Sequence, residues 1–127
     1  MSKMTDYQID ACYRGGVLVY EGKTLLHRER DRIANETGMN EASASYYLSA
    51  VYALLSDGDI HYYINSKAVD SYLEKIYSDY GIDALRRAAD VCFRRYETTK
   101  SFNKTCHYYK RIANDHLKRH SLRSSHE

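Results

Sequence analysis

With 127 residues, 43% of them apolar and 28% charged, the chain can form one domain with its own core, and its composition is not that of a disordered, fibrous or membrane-spanning protein. The net charge of +2 is uneven: residues 1–85 carry a balance of −5 and residues 86–127 one of +7, so an anionic partner is expected on the second half. Three cysteines without paired spacing argue against a disulfide framework, and no signal-peptide core or membrane-length apolar run occurs. The sequence therefore predicts a cytoplasmic protein without a membrane partner.

The chain begins with a predicted helix. Thr5 and Gln8 have the spacing of a capping box, in which the two residues cap each other's backbone N–H groups. We expect this helix to run to about Arg14. Gly15-Gly16 is expected to end it, because glycine loses the most backbone entropy in a helix.

A small β-hairpin is predicted next. Residues 17–20 favour a strand, residues 21–23 are typical of a turn, and residues 24–26 could return as a second strand. The alternative is that residues 17–20 continue as helix. The pattern of residues 17–26 leaves both structures open.

Residues 30–48 have the spacing of a helix-turn-helix. Two short helices can cross steeply when a small residue lies at their contact, a glycine forms a left-handed corner, and an apolar residue after the corner points inward. Gly38 is placed to form the corner. The residues expected on the inner face of the motif are Ile33, Ala34, Met39, Ala44 and Tyr47.

The outer face of the second motif helix is polar, and in DNA-binding proteins of this type that face enters the major groove. The residues predicted to contact DNA there are Asn40, Ser43, Ser45, Tyr46 and Ser49. Asn40 is also placed to cap the helix. The helix has no Lys or Arg and carries Glu41, so attraction to DNA must come from elsewhere. An ordinary helical hairpin with a glycine corner is the alternative.

The rest of the chain is predicted to be helical, apart from one short strand that resembles the wing of winged-helix proteins. The predicted elements are a continuation of the motif helix to Leu55, a strand at residues 60–64, a helix from Ser66 to Tyr80, a helix capped by Asp83, and a last helix from about Asn103 to Arg119. We therefore expect a mainly α fold: a single helical domain over residues 1–120, with a frayed basic tail over residues 121–127.

Basic residues of the last two helices are candidates for phosphate contacts. Arg86-Arg87 and Arg94-Arg95 form two pairs about two turns apart on one helix, and arginine forks bind phosphate oxygens well. Lys104, Lys110 and Arg111 extend this basic character. A solvated helix face is the alternative.

The sequence predicts no catalytic site, cofactor or metal. His116 and His120 are four residues apart, a spacing that can bind zinc, but no paired cysteines accompany them, so two solvated histidines are expected. Asp57 and Asp59 flank a glycine and lack the other ligands of a calcium loop, so a turn is expected there. Gly15-Gly16 lacks the Lys-Ser or Lys-Thr that follows the glycines of a phosphate loop.

The stretch from about Leu25 to Glu97 resembles the helical N-terminal domain of some HNH-type, modification-dependent restriction endonucleases. The shared motifs are Ile33-Ala34, Thr37-Gly38-Met39-Asn40, Ile64-Asn65 and the block from Tyr72 to Gly81. The resemblance implies a helical domain that assists DNA engagement, while a separate domain cuts. This chain lacks the His-Asn-His cluster with flanking cysteine pairs, so the resemblance implies DNA handling without cleavage.

These features together predict a small DNA-binding protein of a prokaryotic or phage regulatory or defence system. Duplex DNA is the expected partner, selected by sequence or modification, and a homodimer could read two half-sites. The alternative is a protein-binding accessory factor or inhibitor of a defence nuclease. The acidic first part and the many tyrosines favour that alternative, because tyrosine is enriched in protein interfaces.

Overall fold

The computed structural model describes residues 4–101 and 104–124, which form six α-helices and one 3-10 turn. In chain order these are α1 (Asp6–Tyr20), α2 (Leu26–Thr37), α3 (Glu41–Ser56), α4 (Ser66–Tyr80), α5 (Ile82–Thr99), the 3-10 turn (Lys104–His107) and α6 (Tyr108–Ser124). The mainly α, single-domain fold is confirmed. Within the described ranges, no helix combines the length and the apolar character needed to cross a bilayer.

Helix α1 begins as predicted and ends later. Thr5 and Gln8 form the capping box, with both hydrogen bonds at 3.1 Å. The helix does not end at the two glycines, because both serve as contact points for other helices. A Cβ on Gly15 would lie 2.9 Å from Ile33 and Leu48 side-chain atoms, and one on Gly16 would lie 2.5 Å from Val51. The missing side chains let α1 approach α2 and α3 closely, and this packing offsets the entropy that glycine loses in a helix.

Neither predicted strand segment is a strand, and of the two structures left open for residues 17–20 the helical one is confirmed. Residues 17–20 are the last turn of α1, and residues 21–25 form a turn that leads into α2. Residues 60–64 are irregular: Ile60 and Ile64 are buried, but Tyr62, which a strand would place on the same side, is 49% exposed. Residues 17–20 are half-buried or exposed, so the short apolar runs indicated neither strands nor a continuous buried face.

The helix-turn-helix arrangement is present in α2 and α3. Gly38 has φ 76°, in the left-handed region, and its N–H bonds to the Ala34 carbonyl. Met39 is buried beside Cys12 of α1, with the two sulfur atoms 3.7 Å apart. Ala44 and Tyr47 are buried on the inner face of α3. Helix α1 packs across both motif helices, so residues 4–56 form a three-helix unit.

Helices α4, α5 and α6 form the second half of the domain. Helix α5 packs on α3 as well as on α4, and α6 packs on α4 and α5. Gly81, with φ 92°, ends α4 as predicted, but α5 begins at Ile82, so Asp83 lies in its first turn and does not cap it. Helix α6 continues to Ser124, so the predicted fraying from residue 121 is not seen as far as that residue. Residues 125–127 lie outside the described part of the chain.

Aromatic contacts and ion pairs join α1 to α4 across the two halves. The Tyr13 ring stacks on the Tyr72 ring, with centroids 6.1 Å apart, and the Tyr13 hydroxyl donates to Asp79 at 2.8 Å. Lys67 of α4 pairs with Asp6 at the start of α1 at 2.6 Å. The first contact is partly buried and the second is exposed, so the tyrosine stack contributes more to the junction.

Candidate functional site

The predicted recognition face lies on the N-terminal half of α3. Asn40 is exposed and caps the helix, because its side-chain oxygen accepts from the N–H groups of Ala42 and Ser43 at 2.8 and 3.3 Å. Its amide NH₂ group has no hydrogen-bond partner among the described residues. Ser43 and Ser45 are half-buried. A polar ridge is therefore present at the start of α3.

The far end of this face is partly covered. Tyr46 stacks on Tyr62 of the α3–α4 loop, with ring centroids 4.1 Å apart and planes within 15° of parallel. Ser49 lies beside them in a small cavity of about 110 Å³. A ligand on α3 would therefore meet a surface made by α3 and the 57–65 loop together, rather than a bare helix.

The charges around the motif are largely paired with one another. Arg32 donates to Glu29 at 2.6 Å and to Glu36 at 2.7 Å, and Arg30 donates to Asp31 at 2.9 Å. Helices α2 and α3 together carry three arginines and four acids, so the motif has a net charge of −1. Its surface alone would attract DNA weakly.

Arg94 has a structural role that the sequence reasoning missed. Its guanidinium bonds to the carboxylates of Asp57 and Asp59, both at 3.0 Å, and to the carbonyls of Asp57 and Gly58. The predicted turn at these acids is confirmed, with Asp57 in the left-handed region at φ 61°. Because the carboxylates bind Arg94, its pKa is raised, and the side chain holds the α3–α4 loop onto α5.

The four arginines of α5 do not share one environment. Arg86 and Arg87 are exposed, and Arg86 lies 3.4 Å from Asp83. Arg95 is half-buried near the Tyr109 hydroxyl of α6. The structure therefore leaves Arg86 and Arg87 on the surface, whereas Arg94 and Arg95 are engaged by other elements.

Helix α6 carries the clearest basic surface. Its exposed cationic residues are Lys110, Arg111, Lys118 and Arg119. Lys110 lies over the ring of Tyr96 at 5.1 Å, and the exposed His107 meets the edge of the same ring. The exposed acidic residue of the same helix is Asp115, so the four cations leave this face with a net positive charge. The Lys104 side chain is outside the described part of the structure.

An open groove connects the α3 side of the molecule to α5. It has a volume of about 570 Å³. The 59–61 loop and the last two turns of α5 line it, with Phe93 and Ile60 as its apolar residues and Arg94 and Glu97 at its rim. The half-buried Arg95 and the buried Thr99 also line the groove.

His116 and His120 are the largest departure from the sequence interpretation, which expected both to be solvated. Each is 1% exposed. They continue the inner stripe of α6 that contains Tyr109, Ile112 and Ala113, all buried. Because the residues of this stripe recur at three- and four-residue intervals, the sequence already indicated that both histidines are buried.

The two histidines face acidic residues of α4. His116 Nε2 lies 2.7 Å from Asp70 Oδ1, and its Nδ1 lies 3.4 Å from Glu74 Oε2. His120 Nε2 lies 2.8 Å from the same Glu74 oxygen. The ligand atoms of Glu74, His116 and His120 all lie within 4.8 Å of one another, so these three residues could hold a metal ion.

A cluster of exposed tyrosines forms a further surface feature. Tyr20 at the end of α1 meets the edges of the Tyr52 and Tyr80 rings, with centroids 6.3 and 6.2 Å away. The Tyr80 hydroxyl donates to Glu21 at 3.1 Å. The sequence indicated exposed tyrosines in general, but not that helices α1, α3 and α4 bring these three together.

Comparisons with known proteins find no relative of this chain. Protein-family models, curated proteins and solved structures were each compared with the chain, and none matches it. The resemblance to the N-terminal domain of HNH-type restriction endonucleases therefore rests on the motifs between Leu25 and Glu97 and stays a prediction.

Proposed function

We propose that this chain is a cytoplasmic DNA-binding protein that acts in a prokaryotic or phage regulatory or defence setting and performs no catalysis itself. The observation that carries the proposal is the α2–α3 unit. Its corner at Gly38, its capping Asn40 and its polar outer ridge match the demands of a helix that enters a major groove. The three free cysteines are buried and unpaired, which suits a reducing compartment.

In this proposal, the polar ridge of α3 reads the bases and the exposed cations of α5 and α6 contact the phosphates. Asn40, Ser43 and Ser45, with the ring pair of Tyr46 and Tyr62, offer donors, acceptors and an aromatic edge for base readout. The cations of α6, with the exposed Arg86 and Arg87, supply phosphate contacts. Phosphate contacts must come from outside the motif because Arg30 and Arg32 are paired with acids.

The test of the proposal measures duplex DNA affinity against salt concentration by fluorescence anisotropy. Each phosphate contact adds about 0.9 to the slope of log affinity against log salt. Changing Lys110, Arg111 and Lys118 to Gln should reduce that slope by about 2–3, equally for all DNA sequences, because phosphate contacts carry no base information. The control is Lys23→Gln, which changes an exposed lysine in the turn after α1 that pairs with Glu21 and belongs to neither proposed DNA surface, and which should leave the slope unchanged.

A second arm of the same experiment tests recognition by α3. Ser45→Ala with Tyr46→Phe keeps the Tyr46–Tyr62 ring stack and removes two hydroxyl groups. On a site selected from random DNA, we expect a loss of about 1–3 kcal/mol in discrimination with the salt slope unchanged. A parent protein that binds no duplex DNA at low salt would contradict the proposed function.

A second candidate function is protein binding, as an accessory factor or inhibitor of a defence nuclease. The Tyr20–Tyr52–Tyr80 cluster favours it, because it places three half-exposed rings beside Glu21 and Asp79, and such a surface suits a basic protein partner. Copurified nucleic acid separates the two candidates. A DNA-binding chain should carry nucleic acid that a high-salt wash removes, whereas an inhibitor should be free of it before the wash. Light scattering would show whether the chain is the dimer that two half-sites require.

A further inference from the structure

We propose that Glu74, His116 and His120 form a binding site for a divalent transition metal ion of the zinc class, which locks α6 onto α4. The three ligand residues belong neither to α3 nor to the exposed cations of α6, and the site meets the proposed DNA surface only through Arg119, which pairs with Glu74. Three features of the cluster support a metal site: the placement of the donor atoms, the burial of the histidines and the charge that surrounds them.

The donors come from two helices at matched spacing. Asp70 and Glu74 are four residues apart on α4, and His116 and His120 are four apart on α6, so each pair lies on one face of its helix. Because α4 packs on α6, the two faces meet. Zinc binds imidazole nitrogen and carboxylate oxygen at about 2.0–2.2 Å. Donor atoms around one ion are then roughly 3–3.5 Å apart, close to the 3.4 Å between Glu74 Oε2 and His116 Nδ1.

The hydrogen bonding of His116 prepares it as a ligand. If Nε2–H donates to Asp70 Oδ1, 2.7 Å away, Nδ1 carries a free lone pair. That Nδ1 atom is buried without any hydrogen-bond partner, and a buried polar atom of this kind costs stability. A metal ion between Nδ1 and Glu74 would satisfy it. A carboxylate that orients a ligand histidine in this way is the usual outer partner of a zinc ligand.

The His120 ring is held in place by stacking as well as by its contact with Glu74. Its ring stacks on Tyr77 of α4, with centroids 3.8 Å apart and planes within 17° of parallel. The stack fixes the plane of the imidazole and aims Nε2 at Glu74, 2.8 Å away. Its Nδ1 is also buried without a partner, and it keeps its proton when Nε2 binds the metal. An ion would require His120 and Glu74 to separate by roughly half an ångström.

The charges balance for a divalent ion. Asp70 and Glu74 together carry two negative charges, and a ligand histidine is neutral. The nearby cation is Arg119, whose Nη1 lies 3.6 Å from Glu74 Oε2, and its side chain is 53% exposed and can turn toward solvent. Two imidazoles with one carboxylate favour zinc and its transition-metal neighbours over calcium or magnesium, which prefer oxygen ligands. Glu74 is half exposed, so an ion can enter from the surface.

The test measures the thermal midpoint of the metal-stripped protein as Zn²⁺ or Co²⁺ is added. At a metal concentration 100 times Kd, the midpoint should rise by roughly 8–12 °C, with one ion bound per chain by calorimetry. Glu74→Gln keeps the shape of a half-exposed residue and removes the ligand charge. It should weaken metal binding at least tenfold and abolish most of the rise, while the circular dichroism spectrum stays that of the parent.

The control variant is His27→Gln, which removes an exposed histidine of α2 far from the cluster in sequence and should leave the metal response unchanged. Two results would overturn the proposal. The first is no rise in midpoint with either ion up to millimolar concentration, which would make the cluster an ion-pair network only. The second is the same rise in the parent and in Glu74→Gln, which would place the bound ion elsewhere.

Discussion

Gly16 lies where α1 crosses α3, and the side chain it lacks determines how close the two helices come. A Cβ there would lie 2.5 Å from both Cβ and Cγ1 of Val51. Valine is short and stiff at χ1, so it cannot turn away, and the helix axes would have to separate. The contact at Gly15 is more forgiving, because the nearest atoms there are the ends of the Ile33 and Leu48 side chains.

We predict that Gly16→Ala lowers the free energy of unfolding by about 1–3 kcal/mol, as overpacking does, even though alanine is the better helix former. The measurement is chemical denaturation followed by circular dichroism. Gly58→Ala is the matched control, since its nearest contact is an ordinary 3.5 Å and its φ is not positive. It should change stability by less than about 0.5 kcal/mol. A Gly16→Ala protein as stable as the parent would show that α1 and α3 are not tightly packed there.

Residue-level roles were predictable where they depend on neighbours in sequence. The Thr5–Gln8 capping box and the Asn40 cap follow from local spacing, and the structure contains both. Arg94 and Gly16 depend instead on residues more than thirty positions away, Asp57, Asp59 and Val51. No local pattern distinguishes an arginine that fastens a loop from one that faces solvent, or a helix-ending glycine from a contact glycine.

At the scale of elements, the α2–α3 corner offers the most direct test of the motif. Gly38 has φ 76°, and a Cβ added there would meet no atom within 4 Å. The stability lost on substitution of Gly38 is therefore due to backbone strain alone. Variants at this position test the left-handed conformation without a packing effect.

We predict that Gly38→Val destabilises the domain by about 2 kcal/mol or more, because a β-branched residue is strained at positive φ. Gly38→Asn should cost clearly less, because asparagine tolerates the left-handed region. Thermal midpoints of the two variants and the parent give the comparison. Equal midpoints for Val and Asn would mean that the corner does not have this conformation in solution.

The helices were predictable from periodicity, whereas their pairing was not. The inner stripe of α6 runs through Tyr109, Ile112 and Ala113 to both histidines, and its spacing alone indicated that His116 and His120 are inside. That interpretation was missed because histidine is polar and the tail around it is basic. Nothing local shows that α6 packs its histidines against Asp70 and Glu74, forty-six residues earlier.

For the molecule as a whole, the charge asymmetry of the sequence becomes a separation between surfaces. Helix α3 packs on α1, α2 and α5, whereas the basic α6 packs on α4 and α5, so the polar ridge and the basic face belong to two helices that share α5 as a neighbour. In the proposed function, one DNA duplex would meet both surfaces. This arrangement is why the salt slope and the sequence discrimination are expected to respond to different substitutions.

The single core that joins both halves buries the Cys12 and Cys92 thiols and the Tyr13 ring, whereas Tyr80 is half-exposed. Burial raises the pKa of the Cys12 and Cys92 thiols, each to about 12 from an ordinary value of 9.0. Burial, together with the hydrogen bond to Glu21, raises the pKa of Tyr80 to about 12, and burial also raises that of Tyr13. These groups come from α1, α4 and α5, so their ionisation reports on the whole fold.

The sign of the resulting pH dependence follows from the direction of the shifts. A group whose pKa is higher in the folded state holds its proton more tightly there, so the unfolded chain loses protons first as pH rises. Stability is therefore fully present below the unfolded pKa of about 9 and is lost as pH rises from there toward 12. Each of the two buried thiols contributes a loss of up to about 1.4 kcal/mol per pH unit.

We predict a thermal midpoint that is nearly constant from about pH 7 to 8 and falls steeply above about pH 9, measured by scanning calorimetry at constant ionic strength. The double variant Cys12→Ala, Cys92→Ala removes the two thiols that must stay protonated. The double variant should have a lower thermal midpoint than the parent, because its smaller side chains leave small cavities. Its midpoint should nevertheless fall less steeply with rising pH than that of the parent. The difference between the two slopes isolates the thiols from lysine and tyrosine ionisation, which both proteins share. Identical slopes would show that the thiols ionise as easily in the folded protein as in the unfolded chain, which would contradict the buried positions of Cys12 and Cys92.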